Sequence, residues 1–131
     1  MVSRYSVDGI RTFVNDAYCR FKNRQREELL GCSAYEGMSQ QDLDDMTDLH
    51  HRLTPDNPVA RIETHMTDQN GRSVWVQWSK RGLFDEHGRL LEVQAVGRDI
   101  TEQKQAEQQR NAALFEAQQA NRVKSEFLAN M

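Results

Sequence analysis

Prolines and glycines are few, two and seven, and none lies beyond Gly97. Nothing after them would turn or break the chain, so Thr101 to Met131 reads as one continuous helix. Cysteines are also scarce. Cys19 and Cys32 do not have the CxxC spacing of a metal site; two buried free thiols in a cytosolic protein are expected, with a disulfide between them left open. No apolar run approaches the roughly 20 residues of a membrane span, and the N-terminus shows no signal-peptide pattern. A cytoplasmic segment without membrane contact is therefore expected. Neither sign of charge dominates: 17 basic and 20 acidic residues are interspersed, which argues against a nucleic-acid surface. With 37% hydrophobic residues, the core is modest, and the chain is read as one domain plus a polar appendage.

The hydrophobic pattern supplies the elements. Arg4 to Val7 and Ile10 to Val14 flank Asp8-Gly9 and predict a hairpin with a two-residue turn. Asn15 or Asp16 caps a short helix through Tyr18 and Phe21. Arg26 to Gly31 predicts another turn or two of helix, closed by its glycine. Gln40 to Met46 predicts a helix, and Leu49 to Leu53 a second one or its continuation. Thr54 to Pro58 then ends helix formation. Val59 to Thr67 alternates, with Ala60, Ile62, Thr64 and Met66 on one face. After Asn70-Gly71 comes a strand from Val74 to Phe84, with Val74, Val76 and Trp78 facing inward. Asp85 to Gly88 turns the chain into a last strand, Leu90 to Arg98, with Leu91, Val93 and Ala95 inward. The economical fold is α+β: a five-stranded antiparallel sheet with short helices on one face. Trp75, Val96 and Ile100 are expected to point outward from it, towards a covering helix or a partner.

The stretch from Val96 to Gln103 joins strand to helix. Asp99 is placed as an N-cap and Glu102 as its N3 partner, both favoured by the helix dipole. The helix from Thr101 to Met131 extends roughly 45 Å and is too polar for a core. Ala106, Ala113, Ala117, Ala120, Phe127 and Met131 form one seam, interrupted by Arg110 and Lys124. Leu114, Asn121 and Leu128 form a rival one. Pairing with a second copy as a weak parallel coiled coil is the natural source of stability; a single solvated helix is the alternative.

The runs DGIRTFVNDAYCRF (Asp8 to Phe21), REELLG (Arg26 to Gly31), LTPDNPV (Leu53 to Val59) and NGRSVWVQWSKRGLFDEHGRLLEVQAVGRDITEQKQAE (Asn70 to Glu107) together resemble a bacterial PAS domain. KSEFLANM (Lys124 to Met131) resembles the approach to the phosphoacceptor helix of a sensor histidine kinase, of the hybrid kind. The resemblance implies a sensory module, residues 1–100, followed by a signalling helix, 101–131, cut from a larger kinase before its catalytic histidine. It implies signal coupling through Asp99, Ile100 and Thr101. It also implies homodimerisation, a kinase catalytic domain as partner in the parent chain, and a small-molecule pocket between sheet and helices. Phe13, Ile62, Met66, Val76, Trp78 and Val93 are the candidates to line that pocket.

Other chemistry finds less footing. Photoactive flavin chemistry needs a cysteine that resemblance places at Ala34, two positions from Cys32. Haem needs an axial ligand, and His50 and His51 read as a surface pair; adjacent residues on a helix point about 100° apart and cannot share a metal. Asp42, Asp44, Asp45 and Asp48 read as a solvated helix face, without a calcium loop. No nucleophile elbow or phosphate loop is present, so catalytic residues are not expected. The tryptophans fit sheet packing better than base stacking. A ligand-binding signalling input is expected, against a structural dimerisation spacer with a filled core, or the input domain of a diguanylate cyclase.

Overall fold

Val2–Ser6 (β1) and Arg11–Val14 (β2) make the first hairpin. Ser6 and Ile10 close its loop by a backbone bond of 2.9 Å, so three residues, not the expected two, make the turn and Val7 leaves the strand. Gly9, at φ +83°, is required here: a Cβ would come within 2.2 Å of the edge of the Tyr35 ring. Three helices follow, Asp16–Lys22 (α1), Arg26–Leu29 (α2) and Gln40–Arg52 (α3). The Asn15 side chain accepts from the backbone N–H of both Val2 and Tyr18, at 3.0 and 2.9 Å, and so caps α1 while tying it to β1. Ser39 caps α3 through the N–H of Asp42, 3.1 Å away. The apolar residues Met46, Leu49 and Leu53 share one side of a single continuous helix and its cap, so the two segments read from the sequence are one.

The chain then makes a meander of Val59–Thr67 (β3), Ser73–Phe84 (β4) and Leu90–Asp99 (β5). The sheet order is β2-β1-β5-β4-β3, antiparallel throughout. Both meander turns have the pattern Asp-x-x-Gly-Arg. Asp68 accepts from the N–H groups of Asn70 and Arg72, and Asp85 from those of His87 and Arg89, all at 2.8–2.9 Å. Each aspartate also pairs with the guanidinium of its own turn.

Val14, Leu29, Leu49, Val76 and Val93 are fully buried between the sheet and the helices. Leu91 is not with them: it is 52% exposed. The pairing slips between Leu83 and Phe84, so Phe84 faces Leu90 and Leu91 is left over as a bulge. Leu90 packs on the core in its place. The computed structural model describes all 131 residues, which divide into two compact units, Met1–Asp99 and Ile100–Met131. The second is the helix Thr101–Ala129 (α4), in which no residue is buried.

Candidate functional site

Inside the first unit, a cleft of about 960 Å³ opens between the inner face of the sheet and the α3 side of the domain. Its floor is the inward side of β1, β3 and β4, carrying Tyr5, Ile62, Thr64, Met66, Trp78 and Lys80. Met46 of α3 and Tyr35 of the preceding loop form part of the opposite wall. Asp42, Asp45 and Asp48 edge its mouth. Trp78 is fixed by its Nε1–H, which donates to Thr64 Oγ1 at 3.1 Å. It lies directly opposite Gly97 on β5, where a Cβ would come within 2.6 Å of the indole.

The floor carries one charge. Lys80 continues the inward register of Val74, Val76 and Trp78 and is 5% exposed. Its ammonium donates to Tyr5 Oη at 3.1 Å and to Met46 Sδ at 2.9 Å, and lies 5.3 Å from the centre of the Tyr5 ring. Tyr5 Oη is 3.0 Å from His50 Nε2. Burial lowers the Lys80 pKa from 10.5 to about 8. Burial, then Lys80, then His51 lower that of His50 from 6.5 to about 4. Burial raises that of Tyr5, with Tyr35 and Tyr18 adding to it. At neutral pH the imidazole is therefore uncharged and the phenol protonated. The hydrogen bonds then run one way, from Lys80 Nζ–H to Tyr5 Oη and from Tyr5 O–H to His50 Nε2.

A five-stranded antiparallel sheet flanked on one face by short helices, with a cleft between, is an architecture this chain shares with known proteins. The PAS fold family matches residues 6–105. The chain belongs to the PAS family. It is 33% identical over 112 residues to the two-component sensor PprA of Pseudomonas aeruginosa, covering 83% of this chain and 12% of that protein. The PAS domain thus spans about an eighth of that relative's length. Its fold superposes on an RNA-binding light-oxygen-voltage receptor with a TM-score of 0.71 at 15% identity, over 86% of this chain and 33% of that one. It also superposes on a PAS domain from a two-component sensor histidine kinase, at TM-score 0.58 and 21% identity over 75% and 82% of the two chains.

Of the residues expected to line a pocket in this PAS domain, Ile62, Met66 and Trp78 lie on the cleft. Val76 and Val93 are packed in the core instead. Phe13 sits on the outer face, 46% exposed, because the β1–β2 pairing slips after Arg4 and turns Arg11 and Val14 inward in its place. The Arg4 guanidinium lies 6.0 Å over its ring. His50 is no surface histidine; it shares the inward side of α3 with Met46 and Leu49, whereas His51 is exposed. Ala34 lines the cleft and Cys32 does not. Cys19 and Cys32 are free and half-buried, where full burial was expected. No group of three or more His, Cys, Asp or Glu side chains is placed to hold a metal, and no helix is long and apolar enough to cross a membrane.

The junction also differs from its sequence reading. Asp99 ends β5 opposite Val76, and Ile100 takes the N-cap position of α4. Isoleucine has no side-chain oxygen to cap with, and Asp99 belongs to the strand, which runs one residue further than the spacing suggests. Ile100 itself has left the strand, at φ −116° and ψ 20°. It is buried, not outward-facing, while Val96 is exposed and Trp75 is half-buried, its ring stacked on His65 at 4.9 Å.

Proposed function

We propose that this PAS domain is the sensory input of a two-component histidine kinase, and that it relays the state of its cleft through α4 to a kinase core in the same polypeptide. The observation that carries this reading is the junction: β5 gives way to α4 with Ile100 alone between them. A change in β5, which bears Ala95 of the cleft, has no flexible linker in which to dissipate. The name of the Pseudomonas aeruginosa relative, a two-component sensor, agrees with it. An open cleft gives little support to a spacer with a filled core.

The relay has a phase-dependent test. The matching segment of that sensor is replaced by this chain, and residues are inserted in α4 after Glu107. One residue rotates the remainder of the helix by about 100°, whereas seven restore a coiled-coil phase. Autophosphorylation should change with one inserted residue and return with seven. Equal output from both would remove the relay.

Within the same proposal, α4 pairs in parallel with a second copy. Ala106, Ala113, Ala117, Ala120 and Phe127 are all exposed, as are Leu114, Phe115, Val123 and Leu128, and a polar helix with no packed face is marginal in water. Sedimentation should give a dimer for the full chain and a smaller mass after truncation at Thr101. Monomers in both cases would dismiss the helix as the dimer contact.

A further inference from the structure

A lysine on the inner face of a small sheet needs a counter-charge. Lys80 is 5% exposed, yet its contacts are a phenol oxygen, a thioether sulfur and the face of an aromatic ring. No carboxylate of the chain pairs with it within 4 Å, and burial alone accounts for the lowering of its pKa. Buried charges in folded proteins are paired. The remaining neighbours cannot supply the charge either. Tyr5 is held protonated by its own burial, and His50 is neutral. The acidic residues that line the cleft, Glu36, Asp42, Asp45, Asp48 and Glu63, are all exposed. Lys22, the other lysine on the cleft, is only half-buried and lies about 6 Å over the rings of Tyr18 and Phe21. No group of the chain supplies a counter-charge to Lys80.

We infer that the cleft takes a small organic monocarboxylate, its anionic head on Lys80 and Tyr5 and its apolar body along Ile62, Met66 and Trp78. One buried cation matches one negative charge. A multiply charged anion would leave charge uncompensated in the same low-dielectric space and would meet the acidic mouth on entry. The walls supply indole, thioether and branched aliphatic surface, which suits an aromatic or short aliphatic body. A carboxylate can accept from the ammonium at one oxygen and, once the Tyr5 O–H turns from His50, from the phenol at the other; the charge-assisted ammonium bond is stronger than the Lys80–Met46 contact it would displace. This names the ligand class for the input cleft and rests on the sensory reading above.

The full 131-residue chain is titrated by calorimetry with benzoate, phenylacetate and hexanoate, and with their neutral amides of nearly the same shape. Each carboxylate that fits should bind at least about tenfold tighter than its amide. Lys80→Met should abolish that preference, bringing each acid to within about twofold of its own amide, and an unchanged circular-dichroism spectrum would show that the variant folds. Lys80→Arg, which keeps the charge, should retain a preference for the carboxylates. Equal binding of acids and amides would overturn the anionic class and leave the sensory cleft standing. A preference that survives Lys80→Met would overturn the role of Lys80. No binding of any of the six at millimolar concentration would overturn the carboxylate proposal and the ligand-input reading together, while the insertion test of α4 would still stand on its own.

Discussion

Replacing Lys80 with methionine should stabilise the folded chain at pH 7 by up to about 3 kcal/mol. The folded domain holds this ammonium with a pKa lowered from 10.5 to about 8, so keeping it charged inside costs free energy that the unfolded chain does not bear. Methionine fills similar volume without the charge, and Tyr5 keeps His50 as a partner for its hydroxyl. The sign with pH comes from the same lowering. Between pH 8 and 10.5 the folded lysine gives up its proton while the unfolded one retains it. The unfolded state then binds more protons, and the stability of the natural chain rises with pH. The advantage of the variant should therefore be largest below pH 8 and fade towards pH 10.5. His50 is already neutral across that window and Tyr5 does not ionise in it, and Lys22 titrates equally in both proteins. Urea denaturation at pH 7 and pH 10 measures the difference at each pH, and a gap that stays constant would show that Lys80 is not the group responsible. A residue that destabilises the empty domain and is nevertheless present behaves like one retained for binding.

Gly97→Val should cost about 2–3 kcal/mol, in the range of overpacked cores. The strand conformation of residue 97 tolerates any side chain, so backbone strain is not the cause. The cause is Trp78, whose ring atoms lie 2.6–2.9 Å from where the new Cβ would sit. The indole cannot slide away freely, since Nε1 is bonded to Thr64. Either the strands part locally or the ring leaves the cleft floor and loses that bond. In a Trp75→Phe background, Trp78 emission should shift to the red and the urea midpoint should fall, with Gly97→Ala showing a smaller effect of the same kind. An unchanged midpoint for the valine variant would mean that the indole has room the structure does not show.

The meander is legible in the sequence because its signals are local and agree with one another: the alternation from Ala60 to Met66, Asn70-Gly71, and Asp85 to Gly88. The site is legible in part. Lys80 sits two residues beyond Trp78 in the same inward series, so periodicity alone would place it; lysine is so seldom buried, however, that the apolar pattern reads as ending before it. His50 follows Leu49 on the inward side of α3, a signal obscured by its exposed twin His51. Leu91 and Phe13 are displaced from their expected faces by slips in pairing, and a bulge leaves no mark in composition. Asp99 and Glu102 have the spacing of a capping box, but how far β5 extends is decided by its pairing with Val76, which is a long-range contact.

The two Asp-x-x-Gly-Arg turns have a consequence for how the sheet opens. Loop tips ordinarily exchange their amide hydrogens with solvent quickly, because nothing holds them. Here the amides of Asn70, Arg72, His87 and Arg89 are each held by a carboxylate oxygen within the turn. Both ends of β4 are thereby clamped, and a slip of one residue against either neighbour would break a turn as well as turn the buried side chains outward. The amides at these two tips should therefore exchange more slowly than those of an unheld loop, while remaining faster than the buried strand centres.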